Sequence, residues 1–299
     1  MYPWFSQIFQ QLAQRKQSQK LHHALLIQGP QGIGKTAFSS DFASLILCSS
    51  VIDNKACGQC QACNLFRAGS HPDYHEVISE KQIGVDQIRD AIKKLSGSAQ
   101  LSGAKVLIIH AAHTMTESSA NALLKTLEEP TANTFILLLS HKPERLLPTI
   151  ISRCERIVMP IPDRLQTQDW LATQYSQTVD EELLSLYAHA PLTLLDELQQ
   201  EQKISYEAFK TGLQDLRQQG VNPAQLAADW QEQVDKILKW LQFWLRGQIK
   251  VQQQVSEQYW QLHQHALSAV KRVRNPGVNK VLVLNQLLTD IALLDKTKN

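Results

Sequence analysis

The sequence predicts an α/β fold followed by an all-α part. Apolar runs alternate with segments of helical spacing through residues 1–160. Two prolines in Met159-Pro160-Ile161-Pro162 then break that pattern, and from there to Asn299 only helical periodicity remains. A strand buried on both faces reads as a short continuous apolar run, so the alternation in the first part implies a parallel sheet covered by helices on both sides.

Ala24–Gln28 (ALLIQ) is an apolar run that stops at Gly29-Pro30 and reads as a strand; Lys35–Cys48 then reads as a helix. Tyr74–Ile78 is strand-like, and Val85–Leu95 has helical spacing. Lys105–Ile109 (KVLII) and Thr134–Leu139 (TFILLL) are further apolar runs, separated by a helix over Ser118–Glu128 that ends at Pro130. Leu146–Ile151 is a short helix-like piece, and Glu155–Val158 is a fourth strand candidate after the three apolar runs. Beyond the prolines, Asp163–Gln200 reads as a small helical unit interrupted at Pro191. The rest reads as a larger bundle with apolar stripes at Ile237, Trp240, Leu241, Trp244, Leu245 and at Val281, Leu284, Leu287, Leu288, Ile291. Such stripes are helix cores or partner-facing seams.

A chain of 299 residues, 43% hydrophobic and 19% charged, can bury a substantial core. Its formal net charge of +2 is too small to suggest a protein that coats nucleic acid. The opening residues show no basic region followed by an apolar run, and no stretch approaches the ~20 apolar residues that cross a bilayer. The expectation is a cytoplasmic protein with no membrane partner.

Gly29-Pro-Gln-Gly-Ile-Gly-Lys35-Thr36 matches the phosphate-loop pattern, and it follows a predicted strand and opens a predicted helix. Gly29, Gly32 and Gly34 let the backbone curl so that successive N–H groups face one anion, and the helix N-terminus adds partial positive charge. Lys35 would reach the outer phosphates of ATP, and Thr36 would ligate Mg²⁺. The alternative is a loop that keeps the fold without holding nucleotide. A working ATPase also needs an acidic pair at the end of an apolar strand. Here the strand Val106–Ile109 runs into His110-Ala111. Mg²⁺ prefers oxygen ligands, and general-base catalysis supplies roughly 10²–10⁴-fold, so turnover should be slow or absent. Asp73, Asp86, Glu117, Glu128 and Glu129 lie elsewhere, and none follows a strand in register.

Four of the five cysteines fall close together, as Cys48-x₈-Cys57-x₂-Cys60-x₂-Cys63. Four thiolates suit structural Zn²⁺; an iron–sulfur cluster and free thiols are the other readings. Arg153, in Ser152-Arg153-Cys154, is either a salt-bridged surface residue or an arginine finger for a transferring phosphoryl group.

Taken in order, these motifs resemble the clamp-loader AAA+ proteins of bacterial replication. Gly29–Thr36 is similar to their Walker A loop and the cysteine quartet to their zinc module. His71-Pro72-Asp73, Asn121–Pro130 (NALLKTLEEP) and Ser152-Arg153-Cys154 are similar to family motifs at similar spacing. The resemblance is specific over residues 20–160. Beyond them it rests on helical content and Asn279. It implies an AAA+ domain with a zinc module over 1–160, a helical lid over 161–203 and a helical collar for oligomerisation over 204–299. The degenerate His110-Ala111, and the absence of a sensor arginine in His189–Thr193, point to a non-motor subunit of DNA polymerase III. Ser140-His141 occupies the first-sensor position and reads as structural. By resemblance, Arg153 acts in trans on ATP held by a neighbouring motor (gamma/tau) subunit. The other partners implied are the delta subunit and, through the complex, the sliding clamp and primed DNA. Two rival functions are an autonomous AAA+ ATPase of motor or helicase-loader type, and a zinc-dependent DNA-binding module using Lys271, Arg272, Arg274 and Lys280.

Overall fold

The computed structural model describes residues 1–101, 103–187, 189–199, 204–218, 220–251, 257–273, 275 and 277–294. These divide into two compact units: Met1–Val179 with Tyr187–Leu198, and Asp180–Leu186 with Gln199–Asn299.

The first unit contains α1 (Ser6–Gln17), β1 (Ala24–Gln28), α2 (Lys35–Leu47), α3 (Gln61–Arg67), β2 (Tyr74–Val77), α4 (Val85–Leu95), β3 (Lys105–Ile109), α5 (Glu117–Glu128), β4 (Thr134–Ser140), α6 (Pro148–Ile151), β5 (Glu155–Val158) and α7 (Arg164–Gln174). The five strands form one sheet in the order β2-β3-β4-β1-β5, and every pairing is parallel. The expected parallel sheet is therefore present, with each predicted strand within a residue of its place. Sequence reasoning did not name α1 or α3.

Strand residues alternate between two cores, as the period of two requires. Leu25, Ile27, Val106 and Ile108 pack with Phe5, Phe9, Phe38 and Phe42 from the N-terminal segment and α2. Ala24, Leu26, Leu107 and Ile109 pack with Ile88, Leu123 and Leu127 from α4 and α5. Burial on both faces explains why β1 and β3 read as unbroken apolar runs. The carboxyl ends of β1, β3 and β4 open onto one edge of the sheet, where ligands of open α/β folds bind.

His71-Pro72-Asp73 has a structural task. The buried Asp73 carboxylate accepts hydrogen bonds from the backbone N–H of Gln100 at 2.7 Å and Leu101 at 2.9 Å, fastening the chain between α4 and β3.

The second unit contains α8 (Glu181–Leu186), and, after α9 (Pro191–Gln199), whose residues to Leu198 belong to the first unit, it continues with α10 (Tyr206–Gln218), α11 (Pro223–Asp229), α12 (Val234–Val251), α13 (Glu257–Arg272) and α14 (Lys280–Leu293). Its stripes are largely cores: Ile237, Trp240, Leu241 and Leu245 are buried on α12, and Leu284, Leu287, Leu288 and Ile291 on α14, while Trp244 and Val281 are half-buried. Asn279 caps α14, its side chain accepting from Leu282 N–H at 3.1 Å. Among the described residues, no helix is long and apolar enough to cross a membrane.

Candidate nucleotide cleft and cysteine centre

The phosphate loop links β1 to α2 and curls through two left-handed glycines, Gly32 at φ +80° and Gly34 at φ +98°. Both are also needed for space. A Cβ on Gly32 would meet Thr193 Oγ1 at 2.2 Å, and one on Gly34 would meet the Tyr2 ring at 2.3 Å. Neighbouring segments fix the loop further: Trp4 Nε1 donates to Ile33 O at 2.9 Å, and Leu192 N–H donates to Gly32 O at 3.0 Å. Tyr2 is held in turn by stacking on Trp4, with ring centroids 5.0 Å apart, and by an edge contact with Trp170. Tyr2, Trp4, Leu192 and Thr193 were not singled out from sequence, since nothing in local periodicity announces a contact between an N-terminal aromatic and a glycine 32 positions on.

Lys35 is turned onto its own loop. Its ammonium donates to Gly29 O at 2.8 Å and Pro30 O at 2.5 Å. Burial pushes its pKa down to about 8. Lys35, Thr36, His110, Ala111, Ser140, His141 and Asp196 line one cleft of about 740 Å³ with Gly32 and Gly34. Neither Asp73, Asp86, Glu117, Glu128 nor Glu129 lines it. The strand end after β3 is a sharp turn, with Ala111 held at φ 45°. His110 Nε2 pairs with Glu76 Oε1 at 3.0 Å. Ser140, at the end of β4, is engaged structurally: its Oγ pairs with His113 Nδ1 at 3.2 Å and accepts from Lys142 N–H at 3.1 Å.

The four cysteines come together. Their Sγ atoms all lie within 4.8 Å of one another, with the Cys48–Cys60 and Cys57–Cys63 pairs at 3.9 Å. Tetrahedral zinc with sulfurs at ~2.3 Å requires S–S edges of roughly 3.8 Å, so the quartet fits such an ion. The backbone fits too. Cys57 N–H donates to Cys48 Sγ at 3.3 Å, Cys60 N–H to Cys57 Sγ at 3.3 Å, and Cys63 N–H to Cys60 Sγ at 3.4 Å. Such N–H donors stabilise thiolates from outside the coordination sphere. Burial pushes the Cys60 thiol up, but hydrogen bonds from Ser49 and Cys63 outweigh it and bring it down to about 5, whereas burial and the contact with Cys60 push the Cys63 thiol up to about 12. The four-cysteine cluster can hold a metal ion and leaves no coordination position open.

Arg153 lies in the turn between α6 and β5. Its Nε donates to Glu128 Oε1 at 2.6 Å and its NH1 to Thr149 O at 3.0 Å. The neighbouring Cys154 is buried, which pushes its thiol up to about 12 and leaves it inert. Of the basic stretch, Lys271 and Arg272 are exposed, Lys280 pairs with Asp235 at 3.3 Å, and Arg274 lies outside the described residues.

Comparison with known proteins settles the kinship. The family model described as "DNA polymerase III, delta subunit" matches residues 4–163. A DNA polymerase III subunit delta' of Pseudomonas aeruginosa is 38% identical over 84% of this chain and 78% of its own length. The chain belongs to the delta-prime family of DNA polymerase III. The delta-prime subunit of Haemophilus influenzae is 41% identical over 67% of this chain, and that of Escherichia coli 40% over 62%. The matched segments cover 62% and 56% of those two delta-prime proteins. A solved gamma-subunit-related protein of DNA polymerase III from Thermotoga maritima has the same fold, with a TM-score of 0.56 at 19% identity over 94% of this chain and 98% of that one. The resemblance to AAA+ clamp-loader proteins is thus borne out, as is the expected α/β sheet followed by a helical part.

Proposed function

We propose that this chain is a non-motor subunit of a replicative clamp loader, one that holds nucleotide at Gly29–Thr36 without hydrolysing it. The observation that carries this reading is the strand end at His110-Ala111. No carboxylate stands there, and the nearest one in the sheet, on Glu76, is engaged by His110 and Tyr74. An autonomous ATPase would need an acid in that position to polarise water, and among the described residues the only carboxylate lining the cleft is Asp196 on α9.

In this reading Arg153 reaches ATP held by a neighbouring gamma/tau motor subunit. A guanidinium fork suits the charge that develops on a transferring phosphoryl group, and such a finger raises kcat by ~10³–10⁵ where measured. The cysteine quartet holds structural zinc and staples residues 48–63. The domain division is an AAA+ domain over 1–160, a lid over 161–203 and an oligomerising collar over 204–299. The delta subunit and, through the assembly, the sliding clamp and primed DNA are the remaining partners.

The test is ATP turnover by the 299-residue chain alone, with saturating Mg²⁺ and primed DNA, beside Lys35→Ala. Turnover equal to that of the variant supports a non-motor subunit. Turnover clearly above it means that another group completes the site and the chain is a motor.

A further inference from the structure

The lining of the nucleotide cleft is poorly matched to a metal-bound nucleotide. Mg²⁺ demands near-octahedral oxygen ligands. Where a carboxylate pair would provide them, β3 runs into His110 and Ala111, both of which line the cleft. Glu76 on the adjacent strand does not line it. Its carboxylate accepts from the Tyr74 hydroxyl at 2.6 Å and from His110 Nε2–H at 3.0 Å. A carboxylate only accepts, so this contact fixes the proton of His110 on Nε2 in the neutral ring and leaves Nδ1 as its second polar atom. The end of β4 contributes His141 to the same lining, and the phosphate loop contributes Lys35. Against these three nitrogen groups stand the hydroxyls of Thr36 and Ser40 and one carboxylate, Asp196, on α9. The hydroxyl that a phosphate loop offers to Mg²⁺ is present, but the carboxylate at the end of β3 that would complete its shell is not. Imidazole suits zinc, copper, iron and nickel, whereas Mg²⁺ is served by carboxylate, carbonyl and water.

We propose that this cleft takes a nucleotide triphosphate as the bare anion, without Mg²⁺, with Lys35 and the loop N–H groups on the phosphates and with His110 and His141 standing where metal ligands would be needed. The inference rests on the reading that Gly29–Thr36 holds nucleotide, and it specifies the form of the ligand. Two consequences follow chemically. The bound phosphates are neutralised by protein groups alone, so Mg²⁺ competes with the protein for ATP instead of assisting it. The metal that orients water and bears charge in phosphoryl transfer is missing from the cleft, which removes a second requirement for hydrolysis beside the acid.

The experiment is calorimetric titration of ATP into the full chain, once with EDTA and once with excess Mg²⁺. Binding in EDTA should be at least as tight as in Mg²⁺, with Mg²⁺ weakening it about threefold to tenfold, and Lys35→Ala should remove it in both buffers. His110→Asp places an oxygen ligand at the strand end and should reverse the order, so that Mg²⁺ now tightens binding. Wild-type binding that tightens about tenfold with Mg²⁺ overturns this inference alone and leaves the nucleotide-holding reading standing. Tighter binding with Co²⁺ or Mn²⁺ than in EDTA also overturns it, because His110 and His141 would then be serving as ligands. Binding in neither buffer overturns both.

Discussion

Glu128, the last residue of α5, clasps Arg153 across the turn that precedes β5: Nε donates to Oε1 at 2.6 Å, and NH2 meets the same oxygen. A carboxylate at a helix C-terminus faces the negative end of the helix dipole, and the guanidinium offsets that cost. Both side chains are partly exposed, 33% for Arg153 and 48% for Glu128, so the pair contributes little to stability. Glu128→Gln and Arg153→Ala should each change unfolding free energy by less than about 1 kcal/mol, read from urea denaturation at unchanged slope. A loss of several kcal/mol would give the pair a structural role and make Arg153 unsuitable as a free finger.

Lys35 supplies a pH dependence. Its pKa in the folded chain is about 8, lowered by burial, and phosphate at the loop favours the charged ammonium and raises it. Anion binding therefore takes up a proton above pH ~8, and none below it where the ammonium is already charged. ATP affinity should be flat with respect to Lys35 below pH 8 and should fall by up to about tenfold per unit above it. Lys35→Arg, charged throughout this range, should remove that slope. A slope that persists in the variant assigns it to another group.

The left-handed residues respond in opposite directions. Ala111 sits at φ 45°, a conformation that costs an L-residue roughly 1–2 kcal/mol, so Ala111→Gly should recover up to about 1 kcal/mol after the entropy of glycine is counted. Gly32→Ala adds strain at φ +80° and drives a methyl to within 2.2 Å of Thr193 Oγ1, and should cost at least about 1 kcal/mol. Thermal unfolding of the two variants measures both.

The cysteine centre predicts metal content. Elemental analysis should find zinc at about one per chain, and Cys60→Ser should reduce it to a small fraction. Strong chelation should raise amide exchange in residues 48–63 while β1, β3 and β4 stay protected, since the sheet has cores on both faces independent of the quartet. Loss of sheet protection would mean that the metal holds the whole first unit.

Much of this was legible in the chain itself. The strands were readable because burial on both faces makes Leu25–Ile27 and Val106–Ile109 continuously apolar. The phosphate loop and the quartet were readable because their chemistry depends on close spacing along the sequence. α1 was not, because its periodicity is diluted: only Phe9, Leu12 and Ala13 are buried in a helix rich in glutamine. The surroundings of the loop were not legible either. Tyr2 and Thr193 reach it through tertiary contacts over long separations, and Glu76 meets His110, beside the cleft, only because β2 and β3 pair in the register Val77↔Ile109. The carboxylates set aside in the sequence are engaged elsewhere: Asp73 anchors a loop, Glu128 holds Arg153, and none of the five lines the cleft.

The most direct measurement is the DNA-stimulated ATPase of a loader reconstituted from motor subunits, delta subunit and this chain, with the chain carrying either Arg153→Ala or Lys35→Ala. A non-motor subunit that supplies a finger in trans predicts that Arg153→Ala lowers turnover of the assembly, while Lys35→Ala leaves the rate at saturating ATP unchanged. Full turnover with Arg153→Ala, or loss of turnover with Lys35→Ala alone, would contradict it.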